Sequence, residues 1–446
     1  MTTYNQAGSQ LLLNAGNHPN RPEALTPMSH APSPRIILIG TGDTKADELR
    51  FMRQCLDRSG GLPMLMDVSV LGSPPYVPQF DKHAVAAAAG TTIEAVCSCG
   101  DENSAMSFMA QGATNLVRHL YDHGHIDGMI AIGGTMGTDL ALDVALGLPV
   151  GFPKVVVSTI AFSHLIPPDR ISPDLMMILW AGGLFGLNGT CLVVLAQACG
   201  AVVGAAKGAM RLKRDRPTIA MTSLGRSCLS YMVELKPRLE LRGYEVVVFH
   251  TTGMGGRAME AMAGERDFAA VLDLSLQEVA NQVMGSAVSS GPDRLENAGK
   301  VGLPQIVAPG AIDMVDFPTW QTRPERLMGR PHHVHNRLIS SATSRPEDRR
   351  MIARSIAAKL AQATGPVAFV LPIGGLQQWD QKGEPLHDPE GLAVFVSEMR
   401  ASLNPPIEFH EIDDHINSPG FVDKVLEIFD RWVQAGIIPR GKGIDA

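Results

Sequence analysis

Arg35-Ile-Ile-Leu-Ile-Gly-Thr-Gly-Asp-Thr-Lys45 and Gly128-Met-Ile-Ala-Ile-Gly-Gly-Thr-Met-Gly-Thr138 decide how this chain folds, because each sets a glycine-rich turn between an apolar strand and a helix start. In a parallel α/β sheet such turns lie at the carboxyl ends of strands, where bare backbone N–H groups and a helix N-terminus receive phosphate. The first turn supplies Gly40 and Gly42 for close backbone approach, the hydroxyls of Thr41 and Thr44, and the opposite charges of Asp43 and Lys45. That set suits a phosphate chain with its magnesium. The spacing is not that of a Walker A loop, and an ordinary strand-to-helix turn capped by Asp43 or Thr44 explains the same residues equally well. The second turn, Gly133, Gly134, Thr135, Gly137 and Thr138, has the stronger phosphate character; Asp139 just beyond it suits the helix dipole but repels an anion. Ser158 and Thr159 follow the next strand and line the same rim.

Working outward from these turns, short β-rich runs alternate with helical stretches. Strands are expected at 35–39, 64–68, 129–132 and 155–159, and helices at 47–59, 140–146 and 190–207. This is the signature of an α/β fold with parallel sheets flanked by helices. The charged, proline-ended run 211–217 reads as a linker between an N-terminal lobe, 35–210, and a C-terminal lobe, 218–446. The second lobe repeats the βαβ logic with strands at 218–222, 245–250, 270–274, 305–308 and 367–371. Its helices are expected at 230–242, 257–263, 345–364 and 420–435. Residues 1–34, rich in Asn, Pro and Ser, read as a flexible tail. The apolar stretch 175–187 is broken by Gly182, Gly183 and Gly186 and reads as a buried strand and turn, not a membrane span.

Composition narrows the function. A chain of 446 residues is long enough for two cores. Net charge is −7 and only 5% of residues are aromatic, so nucleic acid is a poor partner. The six cysteines are scattered without zinc-knuckle spacing, and with no disulfide framework a cytoplasmic, reducing setting is expected.

In the second lobe His250-Thr-Thr-Gly-Met-Gly-Gly-Arg257 ends a strand and opens a helix, with Glu260 one turn on. The pattern suits a carboxylate or phosphate, with His250, Arg257 and Glu260 as candidate catalytic groups. Arg226 in Ser223-Leu-Gly-Arg-Ser227 suits an anion better than it suits nucleophilic attack. His333 and His335 share one side of an extended segment and are candidate metal ligands, needing a third from Asp313, Asp316, Glu278, His410 or His415. A solvated histidine loop is the plainer reading. His415 beside Asp414 is a candidate acid–base pair.

The strings IGTGDTKADELRFM, AIGGTMGTDLA, PVGFPKVVVSTIA, VVFHTTGMGGRAMEAM, APGAIDMVDF and HVHNRLIS, in this order, span the region from Arg35 to Val433. Together they resemble a family of uncharacterised bacterial and fungal proteins similar to the N-terminal ATP-binding region of the plant tomato mosaic virus resistance protein, the Tm-1-like ATP-binding domain. The resemblance implies two Rossmann-like lobes, a homodimer or higher homo-oligomer, and ATP held by the first lobe at Gly40–Lys45, Gly133–Thr138 and Ser158–Thr159. Three functions stay open at this point. One is an enzyme of small-molecule metabolism that uses ATP, with Mg2+, on an anionic small molecule near the interlobe cleft. Another is a non-catalytic nucleotide-regulated dimer. The third is a metal-assisted lyase or hydrolase, with a second divalent metal, built on His250, His333 and His335.

Overall fold

The computed structural model describes residues 33–209 and 215–442. The expected tail up to residue 32 and the 211–214 part of the expected linker lie outside them. The first sheet holds β1 (Arg35–Gly40), β2 (Leu62–Asp67), β3 (Gly128–Gly133), β4 (Lys154–Ser158) and β5 (Met176–Leu179), in the order β2-β1-β3-β4-β5. All its pairs are parallel. The second sheet begins with β6 (Thr218–Ser223), β7 (Glu245–His250), β8 (Ala270–Ser275) and β9 (Gln305–Gly310). After β9 the chain makes a small antiparallel sheet from β10 (Met314–Pro318), β11 (His332–Val334) and β12 (Ile339–Thr343). It then completes the second sheet with β13 (Val367–Pro372) and β14 (Glu408–Ile412), giving the order β14-β13-β9-β8-β6-β7, again parallel.

Period-two geometry explains why the strands read as nearly unbroken apolar runs, since alternate side chains leave for opposite faces and both faces are covered. In the first lobe Ile36, Leu38, Ile130, Val155 and Val157 pack with residues of the helices Ala46–Arg58 and Gly189–Gly208. Ile37, Ile39, Met129, Ala131 and Val156 pack the other way, with residues of Lys82–Ala88, Glu102–Asp122 and Thr135–Leu146. Each such side chain contributes about 1.5–3 kcal/mol by leaving water. The second sheet is built alike: Ile219, Met221, Leu272 and Ile306 cluster with residues of Ser230–Glu240 and Pro419–Gln434, while Val307, Phe369 and Leu371 cluster with residues of Pro346–Leu360 and Pro389–Ser402.

Several boundaries differ from expectation. The helix expected at 140–146 begins at Thr135, so its first turn is made by the glycine turn itself. The helix expected from 257 begins at Met254. The segment 175–187 is not a buried strand and turn. β5 is an edge strand with half-exposed residues, and Phe185 beyond it is 97% exposed. The helix Gly189–Gly208 is long and apolar enough to cross a membrane by length and composition. Its Cys191, Leu195, Ala198, Cys199, Val202 and Val203 are nevertheless buried in the lobe.

Candidate functional site

In the first sheet the chain runs from β1 to β2 on one side and then crosses to β3 on the other. The loops after β1 and β3 therefore diverge over a crevice, the position at which open α/β sheets bind ligands. Both glycine turns meet there, since Ile39 of β1 pairs with Ala131 of β3.

The two turns offer different groups. In the first, the Gly42 amide donates to the Asp67 carboxylate at 2.9 Å and the Asp43 amide to the Ser69 hydroxyl at 3.1 Å. The Thr44 and Lys45 amides donate to the Thr41 carbonyl at 3.2 and 2.9 Å. The backbone donors of this loop thus have partners of their own, and the hydroxyls of Thr41 and Thr44 bond to each other at 2.8 Å. What remains for a ligand is Lys45, whose ammonium lies 5.3 Å above the Phe185 ring, Asp43, one of whose carboxylate oxygens is buried with no hydrogen-bond partner, and the first turn of the helix Ala46–Arg58, which has no side-chain cap.

The second turn keeps its donors. The helix Thr135–Leu146 starts at Gly134 with no side-chain cap, whereas the helix Glu102–Asp122 has the Asp101 carboxylate and Gly189–Gly208 the Asn188 amide oxygen. The first-turn amides of Thr135, Met136 and Gly137 are those a helix leaves without internal acceptors. Gly133 is required beneath them, because a Cβ there would meet Gly137 and Thr138 backbone atoms at 2.5–2.8 Å. Thr138 is buried and bonds Ser158 hydroxyl to hydroxyl at 2.7 Å, and Ser158 also accepts the Ile160 amide at 3.0 Å. These two residues therefore brace the rim, while the half-exposed Thr159 sits on it. Asp139 does not present an unopposed charge. Arg170 holds its carboxylate at 2.5 Å and that of Asp143 at 3.1 Å, which lessens the repulsion expected at this helix start.

In the second lobe the turn after β7 already holds its carboxylate, and it comes from the same chain. Glu278 accepts from the Gly253 and Gly256 amides at 2.6 and 3.1 Å. Arg294, fully buried, bonds Glu278 at 2.8 Å and pairs with Glu260 and Asp273. Glu260, expected in the catalytic set, lies inside this buried network. It is 3% exposed, accepts the Asn297 amide at 2.9 Å, and burial pushes its carboxyl up to about 7. Arg257 is directed to Asp293 at 3.3 Å. His250 stands at the strand end and accepts the Gly225 amide at 3.2 Å, and burial lowers its basicity.

His415 also differs from its expected role. Its Nδ1 accepts the Asn417 amide at 3.0 Å, and its Nε2 faces Asp380 at 3.1 Å and the Gln377 carbonyl at 3.2 Å. The Asp414 carboxylate accepts the His415 backbone amide at 2.9 Å. The imidazole is held on both sides. His333 and His335 do come together, with ring centroids 4.7 Å apart. A third ligand does not join them: among the described residues no group of three or more His, Cys, Asp or Glu converges to hold a metal. His335 instead bonds the Ser341 hydroxyl at 2.9 Å, and Ser341 donates to Asp316.

Sequence reasoning missed Arg170, Asp67 and Ser69, whose partners lie 25 to 31 residues away. It also missed Trp379, which stacks on His333 at 4.1 Å. For Glu260 a signal was present: Gly256, Glu260 and Ala263 fall on one helical stripe, which is the buried one.

Comparison with known proteins covers both lobes. The Uncharacterised protein family (UPF0261) N-terminal domain matches residues 34–211, and its C-terminal domain matches 216–433. A UPF0261 protein of Brucella melitensis is 60% identical over 413 residues, 93% of this chain and 99% of that protein. One from Clostridium tetani is 34% identical over 87% of this chain and 96% of its own length. The ToMV resistance protein Tm-1(GCR237) of Solanum lycopersicum is 28% identical over 89% of this chain, which spans 55% of that longer protein. With both domains matched and relatives aligned nearly end to end, the chain belongs to the UPF0261 family of uncharacterised proteins.

Proposed function

We propose that the first lobe binds the phosphates of a nucleotide, ATP, in the crevice between the loops after β1 and β3. The observation that carries this reading is the uncapped N-terminus of the helix Thr135–Leu146, which opens at the switch point while Arg170 offsets part of the charge of Asp139 and Asp143. The Thr135, Met136 and Gly137 amides meet the phosphate oxygens, and Lys45 and Thr159 flank them. Magnesium fits the unpartnered carboxylate oxygen of Asp43, with phosphate and water completing its octahedron. When bound it offsets phosphate charge.

The family resemblance carried by the sequence strings implies the same ligand. The dimer belongs to this proposal. The exposed apolar residues Leu179, Phe185, Leu187 and Val193, on the β5 edge, the loop after it and the helix that follows, support it. Cytoplasmic placement also belongs to the proposal, and suits the free thiols of all six cysteines. Isothermal titration with ATP and a non-hydrolysable analogue, with and without magnesium and followed by assay for ADP, tests the reading. Saturable binding of both nucleotides is expected, and released ADP separates an enzyme from a nucleotide-regulated binding protein. No heat and no thermal shift with either nucleotide overturns it.

A further inference from the structure

In the first lobe the helices Glu102–Asp122 and Thr135–Leu146 leave between them a cavity of about 320 Å³, which is the size of a small-molecule site. Every side chain that lines it is polar. Ser107, Gln111, Thr114 and Asn115 come from one face of the first helix, and Asp143 comes from the second. The two helices are locked together at Gly147, where a Cβ would meet the Thr114 methyl at 2.5 Å.

The lining offers acceptors in excess. The Ser107 hydroxyl donates to the Asn103 carbonyl at 2.9 Å, and the Asn115 amide donates to the Ala88 carbonyl at 2.9 Å. Lone pairs on Ser107 Oγ and Asn115 Oδ1 therefore remain. The Thr114 hydroxyl is buried with no hydrogen-bond partner, although groups so placed are ordinarily paired. Gln111, exposed at the rim, carries one acceptor and one donor group. Asp143 meets Arg170 through Oδ1 at 3.1 Å, which leaves Oδ2 as an acceptor.

The surrounding charge is negative. Arg170 serves two carboxylates, Asp139 and Asp143, and Arg118, three residues beyond Asn115, serves Asp122 at 2.9 Å and Glu265 at 3.1 Å. Each arginine thus leaves one negative charge over. Burial, with Asp139 adding to it against the pull of Arg170, pushes the Asp143 carboxyl above its ordinary range. A cation beside it relieves that stress.

We propose that this cavity is a binding site for a small hydroxylated primary amine. Its ammonium group, which has three donors and no acceptor, is drawn to Asp143, and its hydroxyls meet Thr114, Ser107 and Gln111. A site built from acceptors rejects an analogue that lacks the donor. Asp143 lies eight residues along the helix from Thr135, about 12 Å from the amides assigned to phosphate. The two sites are separate, and either proposal stands if the other fails.

The test uses the full-length protein and a matched set of probes, followed by NMR at the Gln111 and Asn115 side-chain amides. Serinol, 2-amino-1,3-propanediol, carries the ammonium and two hydroxyls. Glycerol replaces the ammonium with a hydroxyl, and choline keeps the charge without an N–H. Serinol is expected to give saturable shifts at these amides, with glycerol and choline each about tenfold weaker. Asp143→Asn should bring serinol down to the affinity of glycerol. Thr114→Val keeps the shape and removes the unpaired hydroxyl, so it should weaken serinol by about tenfold without lowering stability in urea. Should Thr114→Val fail to fold, the probe series and Asp143→Asn decide the matter alone. No saturable shift with serinol, glycerol or choline binding as tightly as serinol, or a serinol affinity unchanged by either substitution overturns the proposal.

Discussion

Replacing Gly133 with alanine adds one methyl group at the point where strand, turn and helix start are in backbone contact. The new Cβ would lie 2.5 Å from the Gly137 carbonyl carbon, 2.6 Å from its Cα and 2.8 Å from the Thr138 nitrogen. All three are backbone atoms, so no side chain swings aside, and the first helical turn has to move outward by about 1 Å to reach ordinary contact. Overpacking of this kind costs about 1–3 kcal/mol. Gly137→Ala is the control, because its Cβ meets only the Ile132 carbonyl oxygen, at 3.4 Å, and alanine favours a helix by up to about 1 kcal/mol over glycine. In urea denaturation Gly133→Ala should therefore lose about 1–3 kcal/mol while Gly137→Ala loses nothing. ATP at about 100 times its dissociation constant should stabilise the wild type by about 2.7 kcal/mol, and that increment should collapse in Gly133→Ala because the donor amides have moved. A Gly133→Ala protein with wild-type stability and an intact ATP increment would refute the geometry assigned to this turn.

Other expectations follow from the buried and paired charges. Arg170→Met returns the Asp139 and Asp143 charges to the helix start, so ATP binding should weaken by on the order of 1 kcal/mol, less at high salt, as calorimetry at two ionic strengths would show. Burial places the Glu260 carboxyl at about 7 against an ordinary 4.5, so the native chain holds that proton more tightly. Its contribution is complete below the unfolded value and is lost as pH rises through 7. Stability should fall by on the order of 3 kcal/mol across that window, and Glu260→Gln should flatten this share of a pH series of unfolding curves. Arg294→Met leaves Glu260, Asp273 and Glu278 buried without their cation and should cost about 3–5 kcal/mol in denaturant unfolding.

Local chemistry made the sheets legible. Ile36–Ile39 and Met129–Ile132 are apolar at every position because both faces are covered, and Gly133 stands out because nothing larger fits above the strand. Long-range partners were not legible. That the Gly253 and Gly256 amides hold Glu278 follows only from the packing of β7 and β8 on either side of β6. Arg170 reaches Asp139 across a loop that carries no periodic signal. The link from Asp316 through Ser341 to His335 depends on strand register, which a shift of one residue would destroy. His415 beside Asp414 was misleading because neighbours in sequence on a loop need not face each other, and the imidazole found Asp380 instead.

The central claim concerns one short segment, so hydrogen–deuterium exchange read by mass spectrometry, with and without ATP and magnesium, tests it most directly. Bound phosphate should slow exchange at the Thr135, Met136 and Gly137 amides, in a peptide spanning 133–138, while the Gly253 and Gly256 amides, already held by Glu278, show no change. Protection confined to the second lobe, or none at 133–138 under saturating ATP, would contradict the account.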